Sequence, residues 1–276
     1  NCLRNITTDQ FAGVAADEVI DPRPLAEILR QWTTFHPEFA FLPRKFKIAI
    51  SGTKDDRAVT WFHDIGLQLQ EQNGETGFRV IVGGGLGRTP IRGQVVREFL
   101  PWQHILTYCE AILRVYNRQG RRDNAYKARI KILVQALGVE AFTQLVEEEW
   151  AQIKDGPATI TQAEFDRVAA HFTAPPYETL GASDAGLTEK LAFEKSFKNW
   201  VDRSTHPHQV PGYTAVTLSL KKPGIAPGDI TSEQMEAVAD LADQYSFGEL
   251  RISHEQNIIL ADVKLSDLYA LWQKAK

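Results

Sequence analysis

The run Leu42-Pro43-Arg44-Lys45-Phe46-Lys47-Ile48 places two ammonium groups two residues apart on a segment that reads as a strand. Side chains alternate across a strand, so Lys45 and Lys47 share one face while Phe46 and Ile48 take the other. The two lysines would root roughly 7 Å apart. Like charges that close repel each other unless an anion lies between them. The pair is therefore a candidate clamp for a small oxyanion, each lysine able to donate a proton. A solvated outer face reads equally well on this stretch alone. A second basic group gathers at Arg118, Arg121, Arg122, Lys127, Arg129 and Lys131, around the start of a helix. A cation there opposes the helix dipole, which hints at a bound anion; a solvated helix face is again the plainer alternative. Arg4, in Cys2-Leu3-Arg4-Asn5, adds a third basic point.

The other conspicuous stretch is Phe78-Arg79-Val80-Ile81-Val82 running into Gly83, Gly84 and Gly85. A dinucleotide site needs G-x-G-x-x-G opening a helix, but counting from Gly83 and Gly85 the third place is Arg88, and Thr89-Pro90 follows. The glycines remain a backbone without side chains, suited to a tight turn or to the close approach of a bulky ligand. G-x-S-x-G, H-E-x-x-H, C-x-x-C and the phosphate-binding G-x-x-x-x-G-K-[ST] are all missing from the sequence. His206-Pro207-His208 offers two ligands, too few for a metal site, and reads as a polar loop.

These residues need elements to hold them. Asp21 as N-cap with Pro22 at the first helical position starts a short amphipathic helix through Leu25, Ile28, Leu29 and Trp32. Strands are expected at 46–50 and 58–62, then a hairpin of 67–71 and 78–82 about Asn73-Gly74. After the glycines the period becomes helical. Pro101 opens a helix to about Arg118 that Gly120 ends, a second runs through Ile130, Leu133, Val134 and Leu137 to Gly138, and a third through Phe142, Leu145, Val146 and Trp150. Arg129 and Lys131 fall in the second of these. From 213 onward strand, helix, two strands and helix follow in order, with Thr231 and Gln234 forming a capping box. That is one strand short of a ferredoxin-like split βαβ unit, and leaves an edge that needs a partner.

The chain has 276 residues and a formal net charge of −4, which gives no pull toward nucleic acid or anionic membranes. No apolar run reaches the ~18 residues of a membrane span. Two cysteines, Cys2 and Cys109, exclude a disulfide framework and suit a cytoplasmic protein, with Cys109 on the apolar stripe of its helix. The chain opens on Asn rather than Met and is expected to be a piece of something longer. The fold class is α+β: a mixed or antiparallel sheet with packed helices over 1–153, a connecting segment with short helices over 154–210, and a ferredoxin-like half-domain over 211–276.

Four separated motifs carry a resemblance. Leu-Arg-Asn at 3–5, FLPRKFK at 41–47, GFRVIVGGGLG at 77–87 and R-x-N-x-x-x-A-R-x-K from Arg122 to Lys131 resemble, in order, the siroheme-containing sulfite and nitrite reductases. The 213–276 unit, with RISHEQN at 251–257, is similar to the second ferredoxin-like half-domain of that family. The resemblance implies that Arg4, Lys45 and Lys47 surround sulfite or nitrite, and that Asn5, Gly83, Gly84, Gly85, Arg122, Asn124, Arg129 and Lys131 line the cofactor. Siroheme carries eight carboxylates, which accounts physically for cationic surroundings. The family also carries a [4Fe–4S] cluster on four cysteines, which two cysteines cannot supply. The expectation is thus the central part of a sulfite reductase hemoprotein, inactive alone and binding neither group stably. Its missing N- and C-terminal parts and a ferredoxin or flavoprotein subunit would complete the six-electron reduction of sulfite to sulfide. Lys47, where nitrite reductases of the family tend to carry Asn, tilts the reading toward sulfite. Nitrite reduction, a non-catalytic anion-binding or assembly module, and more remotely a nucleotide-dependent enzyme are the alternatives.

Overall fold

A computed structural model describes residues 2–276. The fold is α+β, and the chain divides into two compact units, one of residues 1–9 and 19–173, the other of 10–18 and 174–276.

In the first unit the strands are β1 (Leu3–Thr7), β2 (Phe46–Ser51), β3 (Ile65–Gln72), β4 (Glu75–Val82) and β5 (Gln94–Pro101), and α1 (Arg23–Thr34) follows β1. The helices α2 (Ile105–Gln119), α3 (Ile130–Leu137), α4 (Val139–Ala151) and α5 (Gln162–Ala169) come after them. The sheet runs β1-β2-β3-β4-β5, with the first three strands parallel and the rest antiparallel. Phe46, Ile48 and Ile50 alternate into the core beside Ile65, Leu67, Val80 and Val82, where they meet Leu25 and Leu29 of α1 and Tyr108, Ile112 and Tyr116 of α2. Cys109 lies in the same core, and burial pushes its thiol up to about 12. The β3–β4 hairpin turns at Asn73 and Gly74, both at positive φ (53° and 80°), as a two-residue turn with Gly at its second position requires.

In this unit three local expectations fail, each for a physical reason. Residues 58–62 form no strand: Val59 is left-handed (φ 56°) and Thr60–Phe62 is a 3₁₀ turn. The Asp56 carboxylate organises it, accepting from the Thr60 amide (2.8 Å), the Thr60 hydroxyl (2.6 Å) and the Trp61 amide (3.3 Å). After the glycines comes β5 before any helix. Its pairing with β4 shifts register at two points, which breaks the alternation a strand would show, and α2 begins at Ile105 rather than Pro101. α1 takes Pro22 as N-cap, while the Asp21 carboxylate accepts from the Arg23 amide (2.9 Å) just outside the helix.

The second unit contains α6 (Ala185–Phe193), α7 (Lys195–Ser204), β6 (Thr205–Pro207), β7 (Tyr213–Ser219), α8 (Ser232–Tyr245), β8 (Leu250–Ile252), β9 (Asn257–Lys264) and α9 (Leu268–Lys274). Its antiparallel sheet runs β6-β7-β9-β8. The capping box of Thr231 and Gln234 starts α8. The strand missing from the 213–276 pattern is β6, a neighbour of β7, so His206-Pro207-His208 is no polar loop. His206 stacks on Phe11 (ring centroids 4.2 Å apart). His208 is buried: its Nδ1 accepts from the Val210 amide (2.8 Å), so its Nε2–H faces Asp262 Oδ1 (3.2 Å). The Tyr177 hydroxyl donates to the same oxygen (2.5 Å). A buried carboxylate thus has two donors, and the histidine both its ring nitrogens occupied. Residues 10–18 cover one face of this sheet, Phe11, Val14 and Ala15 against Ala215, Ile259 and Ala261. Phe197, Leu260, Leu271 and Trp272 form the core on the other.

The glycine run is held by its own unit. Gly83 has φ 84°, and a Cβ on Gly84 would lie 2.3 Å from the Trp61 carbonyl oxygen and 2.8 Å from that of His63. Both obstacles are backbone. We expect Gly84→Ala to cost about 3 kcal/mol, the upper range for overpacking. Gly87→Ala, at φ 99° with open space around it, should cost about 1–2 kcal/mol from backbone strain. Urea midpoints of the two variants measure this; a Gly84→Ala loss no larger than that of Gly87→Ala contradicts the close approach.

Candidate active site: a row of cations about a buried carboxylate

Four strand ends meet along one line of the first sheet. Asn5 of β1 pairs with Lys47 of β2, and the β1–β2 register slips at Arg4. Ile48 pairs with Ile65, which sets Asp64 beside Lys47 at the start of β3. The Lys47 amide donates to Asp64 Oδ2 (3.0 Å), and the Gly83 amide, just past β4, donates to the Asp64 carbonyl (3.0 Å). Arg129 closes the group: its Nε (3.0 Å) and Nη2 (2.6 Å) both donate to Asp64 Oδ1. The Asp64 side chain is 0% exposed and that of Arg129 20%.

Lys45 and Lys47 flank the buried Phe46, so they lie on the face of β2 opposite the core, where both are half-buried. The crowding shows in Lys45. Its ammonium is held below the ordinary lysine range, first by Lys47, then by partial burial, then by Arg129, Arg4 and Arg44. Arg4, Lys47 and Arg129 therefore all lie close enough for their charge to reach Lys45. Asp64 is the carboxylate bonded into this group; burial pushes it above the usual range, opposed by Arg129 and by the Lys47 amide. Lys131 is mostly buried, and burial followed by the charge of Arg129 lowers it. Its Nζ donates to the Thr89 carbonyl (2.5 Å) and so pins the loop beyond the glycines. Gly85 lies against this pair: a Cβ there would be 3.1 Å from Lys131 Cδ and 3.7 Å from Arg129 Nη2.

The remaining sequence candidates have local duties. Arg122 donates to the carbonyls of Phe41 (2.9 Å) and Asn117 (3.0 Å) and to Asn117 Oδ1 (2.5 Å), bracing the segment that leads into β2. Asn124 accepts from the Tyr126 amide (2.9 Å) and caps the turn at 125–127. Neither bonds to the Asp64 group. Arg129 is the N-cap of α3, outside the helix proper, and Lys131 is in its first turn. Asp64 is the residue that motif reading passed over. Its signal is faint: one acid between apolar runs, two places before Gly66 and so in phase with the face away from the core.

A tetrapyrrole rich in carboxylates fits this row, because crowded half-buried cations gain most from an anion that neutralises several at once. A four-thiolate cluster does not fit the described residues. Cys2 is exposed and Cys109 is buried, and among the described residues no three His, Cys, Asp or Glu are grouped to hold a metal ion.

Residues 1–154 match the family model for the nitrite and sulphite reductase 4Fe-4S domain, and 206–276 the model for the nitrite/sulfite reductase ferredoxin-like half domain. Across 98% of its length the chain is 30% identical to the ferredoxin–nitrite reductase of Synechococcus elongatus, covering 46% of that protein. Across 95% it is 29% identical to sulfite reductase [ferredoxin] 1 of Mycolicibacterium paratuberculosis, covering 40%. The solved structure of the Mycobacterium tuberculosis NirA protein superposes on 98% of the chain with a TM-score of 0.69 and 25% identity, and the chain covers 42% of it. The chain thus spans less than half the length of these relatives. With a family model matched over more than half its residues, the chain belongs to the nitrite and sulphite reductases.

Proposed function

We propose that the chain supplies the anion-holding wall of a sulfite reductase, which takes sulfite to sulfide at siroheme with electrons from ferredoxin. The observation that carries this is the gathering of Lys47, Arg129 and Arg4 around Lys45, with Arg129 and the Lys47 amide bonded to the buried Asp64. Siroheme, when bound, would supply the electrons to the anion; the residues of the chain bind, orient and protonate. Arg129 and Lys131, which both border Gly85, are the groups for its carboxylates, with Asn5 in line with Lys47. Lys45 and Lys47 would hold the small anion and release protons as its oxygens leave as water. A lysine whose proton is already loosened by a neighbouring cation is the better donor, and Lys45 is such a lysine. The cluster thiolates have no source among the described residues, so no step is assigned to them.

Ferredoxin as donor comes from the names of the relatives, which include both nitrite and sulfite reductases at 28–30% identity. Nitrite is therefore the second reading, and Lys47 is the residue that favours sulfite. No helix among the described residues is long and apolar enough to cross a membrane.

The assay is turnover of both anions by the complete protein with reduced ferredoxin. Sulfide formation is expected; consumption of neither anion by protein carrying siroheme would overturn the proposal. Lys47→Asn should shift preference toward nitrite. It removes a charge and a proton donor while keeping a polar group at similar depth, and the more anionic sulfite should lose more. A charged hydrogen bond is worth roughly 1.5–3 kcal/mol, so the ratio of kcat/KM values should move about ten- to a hundredfold. Equal losses for the two anions would make Lys47 a general support instead.

A further inference from the structure

An anion site gains nothing electrostatically from a buried carboxylate, yet Asp64 sits in the middle of this one with its side chain fully enclosed. Its hydrogen bonds show what it does there. One oxygen takes the Lys47 amide and the other takes the Nε and Nη2 of Arg129. A single rigid group therefore fixes the start of β2 and the guanidinium at the start of α3 relative to each other. Arg129 needs such an anchor. It occupies an N-cap position without a side-chain cap, where the helix dipole opposes a cation, and Lys131 in the first turn repels it further. Of the five N–H groups of a guanidinium, Asp64 uses two, both on one edge. The remaining N–H groups lie on Nη1 and on the far side of Nη2, and Gly85, with no side chain, borders Nη2, where a Cβ would come to 3.7 Å.

We propose that Asp64 is a positioning residue that acts through Arg129, holding the Nε/Nη2 edge of the guanidinium so that its outer edge meets a carboxylate of the bound cofactor. This rests on the siroheme reading above. The sign of one effect separates positioning from simple charge. Asp64→Asn removes a negative charge from an anion site, so charge alone would tighten the binding of a polycarboxylate. Positioning predicts the reverse.

The experiment titrates siroheme into the wild-type protein, Asp64→Asn, Arg129→Lys and the double variant, read by absorbance. Arg129→Lys keeps the positive charge but loses the planar fork, and it carries the test if Asp64→Asn does not fold. In parallel, proton exchange at Arg129 Nε is followed by NMR in the ligand-free proteins. We expect at least tenfold weaker siroheme binding in each single variant, no further loss in the double variant, and an Nε–H slow to exchange in the wild type but fast in Asp64→Asn. Unchanged or tighter binding in both single variants, or additive losses, would overturn the proposal. So would equal Nε–H exchange with and without the Asp64 charge. Failure of the wild type to bind siroheme would overturn the cofactor reading instead, and the ligand-free exchange rates would still decide whether Asp64 holds Arg129.

Discussion

The Asp64–Arg129 pair is the interaction on which the geometry of the first unit depends. A carboxylate taken wholly out of water is costly unless its oxygens are bonded and its charge is met. Asp64 meets both conditions, with an amide on one oxygen and a guanidinium on the other. Removing one partner of such a pair typically costs roughly 3–5 kcal/mol, because the other is left buried and unpaired. The same residue joins four elements. Its side chain bonds β2 and the start of α3, its carbonyl takes the Gly83 amide beyond β4, and its own position opens β3. Lys45 shows the electrostatic consequence. Cations are crowded on the outer face of β2, and one acid is set among them without neutralising them all.

The glycine run follows from the same crowding at strand ends. The turn at Thr60–Phe62 brings two backbone carbonyls against Gly84, and Gly93 donates to the Trp61 carbonyl from the other side (2.7 Å). A side chain at 84 would push against the turn that Asp56 caps, and one at 83 would press on Val134 of α3. Gly85 differs from its two neighbours. Its surroundings are Lys131 and Arg129, so only this third glycine borders the cations. A stretch that looks like a single motif therefore divides into a packing part and a part that faces the site.

Most of the elements were legible in the sequence, and the failures share a cause. The Asn73-Gly74 hairpin, the alternation of Phe46, Ile48 and Ile50, the stripe through Cys109 and the Thr231 capping box are local patterns, and local physics decides them. β5 was hidden because bulges against β4 destroyed its period, and 58–62 was misread because the side chain of Asp56, just before it, set its turn. β6 was hidden because three residues carry no period at all. In the site, Lys45 and Lys47 could be paired from alternation alone, and their motifs carried the resemblance. Asp64 could not be found that way. Its meaning comes from the β2–β3 register and from an arginine 65 residues away, and neither leaves a mark at position 64. Arg122 and Asn124 show the converse, since a motif position can be occupied by a residue whose bonds are to nearby backbone.

On the proposed function the cations on this face are gathered to hold an anion, and they repel one another without it. The ammonium of Lys45 reports on this directly, and its titration can be followed by NMR in the ligand-free protein and again with siroheme bound. Lys47, then partial burial, then Arg129 and Arg4 hold it below the ordinary lysine range. The carboxylates of the cofactor should raise it again, and anion affinity should fall as pH rises through the ligand-free value. A Lys45 that titrates as an ordinary lysine and does not move when siroheme is added would contradict the account.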